Sequence, residues 1–427
     1  MGKFKELLAE KGKLRHFIRG FESLAKWVVI SVTLGSVIGT IAAGFLYAIG
    51  FVTEFRLSHS FMVLFLPLGG CLIVFLYQVF KKSDDTGTSQ VLQSIREGNK
   101  IKIYLAPLIL ISTVITHAFG GSVGREGAAL QFGGSIGNFL GEKLRVSKDT
   151  VKIITMAGMA GAFASLFGTP LGAAIFAIEV SMIGIMHYSA LVPCILTAYF
   201  SHYITILWGM QKVHVPHPVT VVPSMYSHNV YFAILLGVIS AMAGICFILV
   251  MKYTHKLYHK FFKNAYVRVI AGGVLVAFLV SLLHTQDYIG LGENVIRSAF
   301  EEPAVWYAFL LKMIFTALTL EAGFKGGEIV PTLFIGATLG SMIAPLINMP
   351  IGLCAACGMI GMFVAVTNTP IASLVLALEM FGHEGIPYFA VVIAVSYLIS
   401  GYFSLYNAQQ ITFSKYTLSD HIRKNKE

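Results

Sequence analysis

Apolar stretches run along the chain at about 27–52, 60–80, 103–118, 128–141, 152–167, 170–186, 189–209, 229–251, 267–284, 304–320, 329–347, 350–366, 370–381 and 387–405, with the charged residues gathered between them. A helix needs about 20 residues to cross a bilayer. Several of these stretches are shorter than that and are interrupted by glycine or proline. Helices that stop inside a membrane are tolerated only where their ends are buried in protein or line a cavity. The pattern predicts an all-α polytopic membrane protein whose broken helices surround a transport pathway. Residues 1–26 read differently. Phe4, Leu7, Leu8, Leu14, Phe17, Ile18, Phe21 and Leu24 recur at helical spacing among basic residues, which predicts an amphipathic cytoplasmic helix on the membrane surface. The apolar run that follows is too long for the core of a signal peptide.

The chain also repeats itself. Residues 157–179 read AGMAGAFASLFGTPLGAAIFAIE and residues 357–379 read CGMIGMFVAVTNTPIASLVLALE, with Gly158, Met159, Gly161, Phe163, Thr169, Pro170, Ala177 and Glu179 recurring 200 residues on. A Gly/Glu-rich element precedes each copy, GREGAALQFGGSIG from Gly124 and GGEIVPTLFIGATLG from Gly326. This divides the protein into the surface helix at 1–26, a first membrane half at 27–215, a second at 216–406 and a short cytoplasmic tail at 407–427. Repeated halves with Gly-interrupted helices place a binding site between them near the midplane, and leave open whether the repeat is inverted or parallel.

Composition makes the membrane reading firm. Of 427 residues, 56% are hydrophobic and 12% charged, against about 25% charged in soluble proteins. The net charge of +10 does not point to nucleic acid, because it belongs to connecting segments (3–26, 81–102, 143–152, 252–268 and 423–426) and not to a soluble basic face. Basic connections mark the cytoplasmic side, so both termini are expected there. Cys354 and Cys357 form a C-x-x-C in an apolar segment without histidine or acidic company and read as packing residues. Neither a metal nor a cofactor is expected. H-E-x-x-H and the phosphate-binding G-x-x-x-x-G-K-[ST] are both missing, so an enzyme or ATP-driven pump lacks its machinery.

The candidate chemistry lies at the Gly-rich elements. In Gly124-Arg125-Glu126-Gly127-Ala128 the glycines permit an unusual backbone, and the N–H groups of the following turn make an anion site. A carboxylate placed there can occupy that site itself and vacate it on protonation; the alternative is that Glu126 simply pairs with Arg125. The second-half counterpart is Gly326-Gly327-Glu328-Ile329-Val330-Pro331, where Glu328 precedes a helix start and Pro331 suits its first turn, the alternative being a surface cap. Thr86, Thr88 and Ser89 offer hydroxyls to an anion or form an ordinary N-cap and loop. Tyr406, just past the last apolar run, reads from its position alone as an interfacial anchor. Glu179 and Glu379 close the two repeat copies and read as helix-end or interface contacts.

The ordered set GREGA, GGEIVP and SLYNAQ resembles the CLC family of anion channels and transporters over nearly the whole chain after the N-terminal helix. The resemblance implies a homodimer with one pathway per subunit, in which Glu126 is a gating glutamate. It implies that backbone amides at Glu328 and Ile329 and the Tyr406 hydroxyl bind the central anion, and it aligns the 86–89 segment with an anion-binding loop. Proton-coupled chloride members have an inner glutamate where this chain has Val180, and an apolar residue where it has Glu328. Both departures resemble the fluoride-exporting branch, as does Phe334, an aromatic near that branch's anion pathway. The TGTSQ loop and Val330 differ from the branch, which keeps a chloride/proton antiporter or a passive chloride channel as the alternative. The expectation is fluoride/proton antiport across the lipid bilayer, with Glu126 and Glu328 as its two acidic groups and Gly124, Arg125, Gly127, Ala128, Gly327 and Ile329 around the anion.

Overall fold

A computed structural model of the chain describes residues 2–80, 87–210, 219–225, 228–413, 415–416 and 423–424, with the backbone alone for 2–16, 228 and 423–424. The described residues form sixteen α-helices. Eight come before residue 210: α1 Gly2–Ser58, α2 Leu66–Val79, α3 Thr88–Glu97, α4 Leu105–Ala118, α5 Glu126–Lys143, α6 Lys148–Phe167, α7 Pro170–Glu179 and α8 Leu191–Leu207. Eight follow: α9 His228–Phe261, α10 Ala265–Leu283, α11 Glu293–Glu301, α12 Ala308–Leu320, α13 Ile329–Ile343, α14 Ile351–Thr367, α15 Pro370–Phe381 and α16 Ile386–Ile399. The expected boundary at 215/216 lies outside the described residues. Seven helical stretches are long and apolar enough to cross a membrane, and six shorter apolar helices accompany them. This is a multi-pass membrane protein.

The halves correspond helix for helix. As α5 packs on α6 and α1 on α8, so α13 packs on α14 and α9 on α16. At α5–α6 a Cβ on Gly133 would strike the Gly158 carbonyl, and at α13–α14 one on Gly336 would strike that of Gly358. Backbones meet this closely only where side chains are absent, the usual device for packing helices in lipid. The shared Thr-Pro opens α7 at Pro170 and α15 at Pro370, where proline's missing N–H is harmless. Here the terminal glutamates act. The Glu179 carboxylate accepts from Ile371 N (3.1 Å) and Ala372 N (2.7 Å) at the start of α15. Glu379 accepts from Leu171 N (2.9 Å) and Gly172 N (2.6 Å) at the start of α7. Each helix caps the other, so the two run antiparallel, which is the relation of an inverted repeat. The expectation of a structural role for both glutamates holds.

Three features depart from the sequence-based elements. The surface helix expected at 1–26 is not separate: α1 continues from Gly2 through Lys26 and Trp27 to Ser58. The Ala-Lys-Trp junction contains neither glycine nor proline, so nothing ends the helix there. The faces of its first turns lie outside the described side chains. The amphipathic α3 and α11 fall outside the apolar stretches altogether. A small sheet accompanies the helices, with β1 (Met182–Ile183) parallel to β2 (Gln410–Ile411) and β2 antiparallel to β3 (Arg423–Lys424), so part of the expected tail docks against the first half. Cys354 and Cys357 are buried and unpaired, as their apolar setting suggests.

Candidate functional site

Two loops, one between α4 and α5 and one between α12 and α13, meet inside the protein. Gly124 N donates to Gly327 O (2.6 Å) and Gly327 N donates to Gly124 O (2.8 Å), an isolated antiparallel bridge between the halves. Each bridge glycine stands two residues before its helix, so the bridge holds both helix N-termini beside one another. Contact is close enough to demand glycine. A Cβ on Gly127 would lie 2.8 Å from the Gly327 Cα, and one on Gly327 would strike the Gly127 nitrogen. Gly124, Gly127 and Gly327 are therefore one cluster, with the buried Ala128 behind them.

Glu126 opens α5 and has no accessible surface. Its Oε2 accepts from Arg125 N at 3.0 Å, so the carboxylate folds back over the helix start. Oε1 has no hydrogen-bond donor among the described residues and lies 3.7 Å from the Arg125 Nε. Arg125 is itself buried, and its Nη2 is 3.5 Å from the half-exposed Glu293 at the start of α11. The pairing of Glu126 with Arg125 is thus real but long, and it lies in the interior. For a carboxyl in this place, charge favours the helix start and burial opposes charge.

Glu328 is the N-cap of α13, with φ −95° and ψ −13°, nearly the −110° and −13° of Arg125. The bridge register thus makes Arg125, not Glu126, the counterpart of Glu328, and Ile329 takes the place of Glu126. The first bond within α13 is Thr332 N to Glu328 O (3.0 Å). The preceding N–H groups, Ile329 among them, have no partner within the helix, and Pro331 has none to offer. Tyr406 is buried, within electrostatic reach of both Glu328 and Glu126. Its backbone is pinned by Tyr406 N to Ser404 Oγ (3.0 Å) and Leu405 N to Val366 O (3.0 Å). Burial rules out the interfacial-anchor reading.

Thr88 and Ser89 are the first two residues of α3, beside Gln131 of α5, which approaches Gly87; Thr86 lies outside the described residues. The other end of α3 reaches the tyrosine segment, where Arg96 Nη1 donates to Ala408 O at 2.5 Å. Phe334, buried in α13, packs on Gly292, on the Tyr288 ring (6.3 Å between centroids) and beneath the Lys312 ammonium (5.0 Å). Val180 ends α7, buried, its carbonyl accepting from Gln409 Nε2 (2.9 Å). Sequence reasoning missed Arg56 and Lys312, both buried near this site. A signal existed for Lys312: a lone lysine inside the apolar run 304–320 is costly unless it has a task.

Comparison with known proteins follows the same lines. The sequence profile described as "Voltage gated chloride channel" matches residues 69–401. The "Chloride/fluoride channel protein" of Pseudomonas syringae pv. tomato is 36% identical over 403 residues, 92% of this chain and 88% of that protein. The crystal structure of "a CLC-type fluoride/proton antiporter" superposes with a TM-score of 0.86 at 34% identity, covering 91% of this chain and 98% of that one. A slow cyanobacterial Cl-/H+ antiporter shares the fold at 18% identity, with a TM-score of 0.75 over 88% and 94% of the two chains.

Proposed function

The chain belongs to the voltage gated chloride channel family, the CLC anion channels and transporters, and from that premise we propose that it is a fluoride/proton antiporter exporting fluoride from a bacterial cell. The observation that carries the reading is Glu126, fully buried at the first turn of α5 with its carboxylate over the helix start. Ionised, it fills the place an anion would take. Protonated, it loses its attraction for the amides, gives way to the anion and carries a proton in the opposite direction. Glu328 supplies a second carboxylate next to the bridge, in a chain with Val180 at the inner-glutamate position. Tyr406 and the amides at the start of α13 bind the central anion, with Thr88, Ser89 and Phe334 along its path.

The likeness to a relative named for chloride and fluoride and to a fluoride/proton antiporter supports fluoride as the anion. Fluoride enters cells as neutral HF and is trapped as the anion near neutral pH, so proton-coupled export protects the cell. The protein works as a homodimer with one pathway per subunit and with both termini in the cytoplasm. The test is anion efflux from liposomes containing the purified protein, followed with fluoride and chloride electrodes while proton uptake is recorded. Fluoride flux far above chloride, with opposing proton movement, is expected. Comparable or dominant chloride flux defeats the fluoride assignment, and anion flux without proton movement makes the protein a channel.

A further inference from the structure

A cavity of about 420 Å³ opens between the C-terminal end of α1, the 286–295 segment and the start of α5. Two guanidinium groups line it, those of Arg56 and Arg125, only 4% and 5% exposed. Buried N–H groups on both have no hydrogen-bond acceptor among the described residues: Nε and Nη1 of Arg56, and Nε and Nη2 of Arg125. Arg125 has carboxylates at 3.5 and 3.7 Å, beyond good hydrogen-bond length; Arg56 has no carboxylate within ion-pair distance among the described residues. Its place is shaped for it, because a Cβ on Gly290 would stand 3.2 Å from the Arg56 Nη2, and Gly290 holds φ +57°. Beneath the same turn lies a third buried cation. Lys312 Nζ donates to Gly290 O (2.8 Å) and Tyr288 O (3.3 Å).

The charges around this turn do not balance. Two buried guanidiniums and the buried Lys312 amine stand around it, with one buried carboxylate, Glu126, beside Arg125. The cavity's other acids stand outside: Glu54 and Asp287 are exposed, and Glu293 is half exposed. Water screens charges at a rim far better than charges in the interior. A buried guanidinium with unmet N–H groups is costly unless an acceptor completes it. The cavity that both arginines line has room for a small anion beside their side chains.

We propose that Arg56 and Arg125 form a halide-binding site outside the gate, a station where the transported anion waits on the side of the membrane at which α1 ends. The role in transport rests on the function proposed above; the binding itself does not. Arg56 donates from the far wall and Arg125 from the gate side, so the anion exchanges with the position of Glu126 by a short step past Arg125. Lys312 adds positive potential without touching the anion.

The full-length protein is crystallised in bromide, whose anomalous signal marks its position, with the Arg56→Gln and Arg56→Lys variants alongside. Bromide within hydrogen-bond distance of both guanidiniums, lost in Arg56→Gln, is the expected result. No bromide in the wild-type cavity overturns the site, and bromide that persists in Arg56→Gln overturns the assignment to Arg56. In liposomes, Arg56→Gln should raise the half-saturating anion concentration on that side roughly tenfold, the worth of one charge-assisted hydrogen bond. The proton-to-anion ratio should stay unchanged, and Arg56→Lys should recover most of the loss. Bromide bound with no shift in half-saturation means an adventitious ion only and ends the waiting-station role. If wild-type protein carries chloride and ignores fluoride, the proposed function fails, while the bromide map and the shift with chloride still decide this site.

Discussion

The first turns of α5 and α13 are built on one backbone plan, bridged through Gly124 and Gly327, with N-caps of nearly equal dihedral angles. Their side chains differ by one register step. In the first half the cap is a cation and the next residue a carboxylate that folds over the helix start. In the second half the cap is the carboxylate and the next residue is Ile329, which cannot cover the amides. The α5 start is therefore covered by the side chain of its first residue, while the first residue of α13 is apolar. A single-residue shift of the acid between two copies of one motif gives the two helix starts different chemistry.

The largest expected effect comes from removing the acid that covers its own helix. Glu126→Gln keeps the shape and removes the titration, so opposing proton movement should fall below about a tenth of the wild-type rate, that is, by more than about 1.4 kcal/mol in the coupled step. Liposome efflux with simultaneous pH recording measures it, and full coupling in this variant sinks the gating role. Glu328→Gln should leave anion flux in place and lower the number of protons moved per anion, because it removes the second titratable carboxyl beside the bridge while Glu126 stays in place. Equal loss of anion flux in both variants would erase the distinction between the two starts.

The bridge itself is uneven, and a methyl group at either side tests it. A Cβ on Gly327 runs into backbone, whereas one on Gly124 lies 2.6 Å from the movable Glu126 Oε2 and 3.0 Å from the Gly327 oxygen. Gly327→Ala should cost about 3 kcal/mol and Gly124→Ala less, the overpacking range for rigid and partly yielding neighbours. Thermal unfolding in detergent gives the order. A smaller effect at Gly327 would mean that the two loops part easily.

Much of this arrangement was legible in the sequence, and the gaps have physical causes. The offset of 200 residues exposed the repeat because Thr-Pro starts obey local rules of helix initiation and the glutamate ends recur in the same register, although the helices those glutamates cap lie in the other half. GREGA and GGEIVP were legible as helix-start chemistry because glycine, acid and proline act over a few positions. The pairing of Arg125 with Glu328 was not, since bridge register is set across 203 residues by hydrogen bonds that leave no local trace. Tyr406 was misplaced by position alone, because chain distance from an apolar run says nothing of burial. Arg56 sits at the end of a 57-residue helix, where an arginine ordinarily reaches water, and only the fold turns it inward.

The smallest effect belongs to a place where the halves match in side chain as well as backbone, the crossed caps of α7 and α15. Glutamine in place of either glutamate offers one acceptor oxygen instead of two, leaving one N–H of the opposite helix without its partner. Glu179→Gln and Glu379→Gln should each cost about 1 kcal/mol, with Glu179→Gln the more costly because its carboxylate is the more buried. Thermal unfolding reads the cost, and anion flux and coupling should remain within about twofold of wild type, since two capped helix starts stay in place. Glu179 also lines a cavity of about 430 Å³ with Tyr188 and Tyr397, which Glu379 does not. A fall in proton coupling with Glu179→Gln and none with Glu379→Gln would therefore show that the first-half glutamate handles protons. The purely structural reading of the pair would then be wrong, and the difference in side chains at α5 and α13 would have a functional counterpart at α7 and α15.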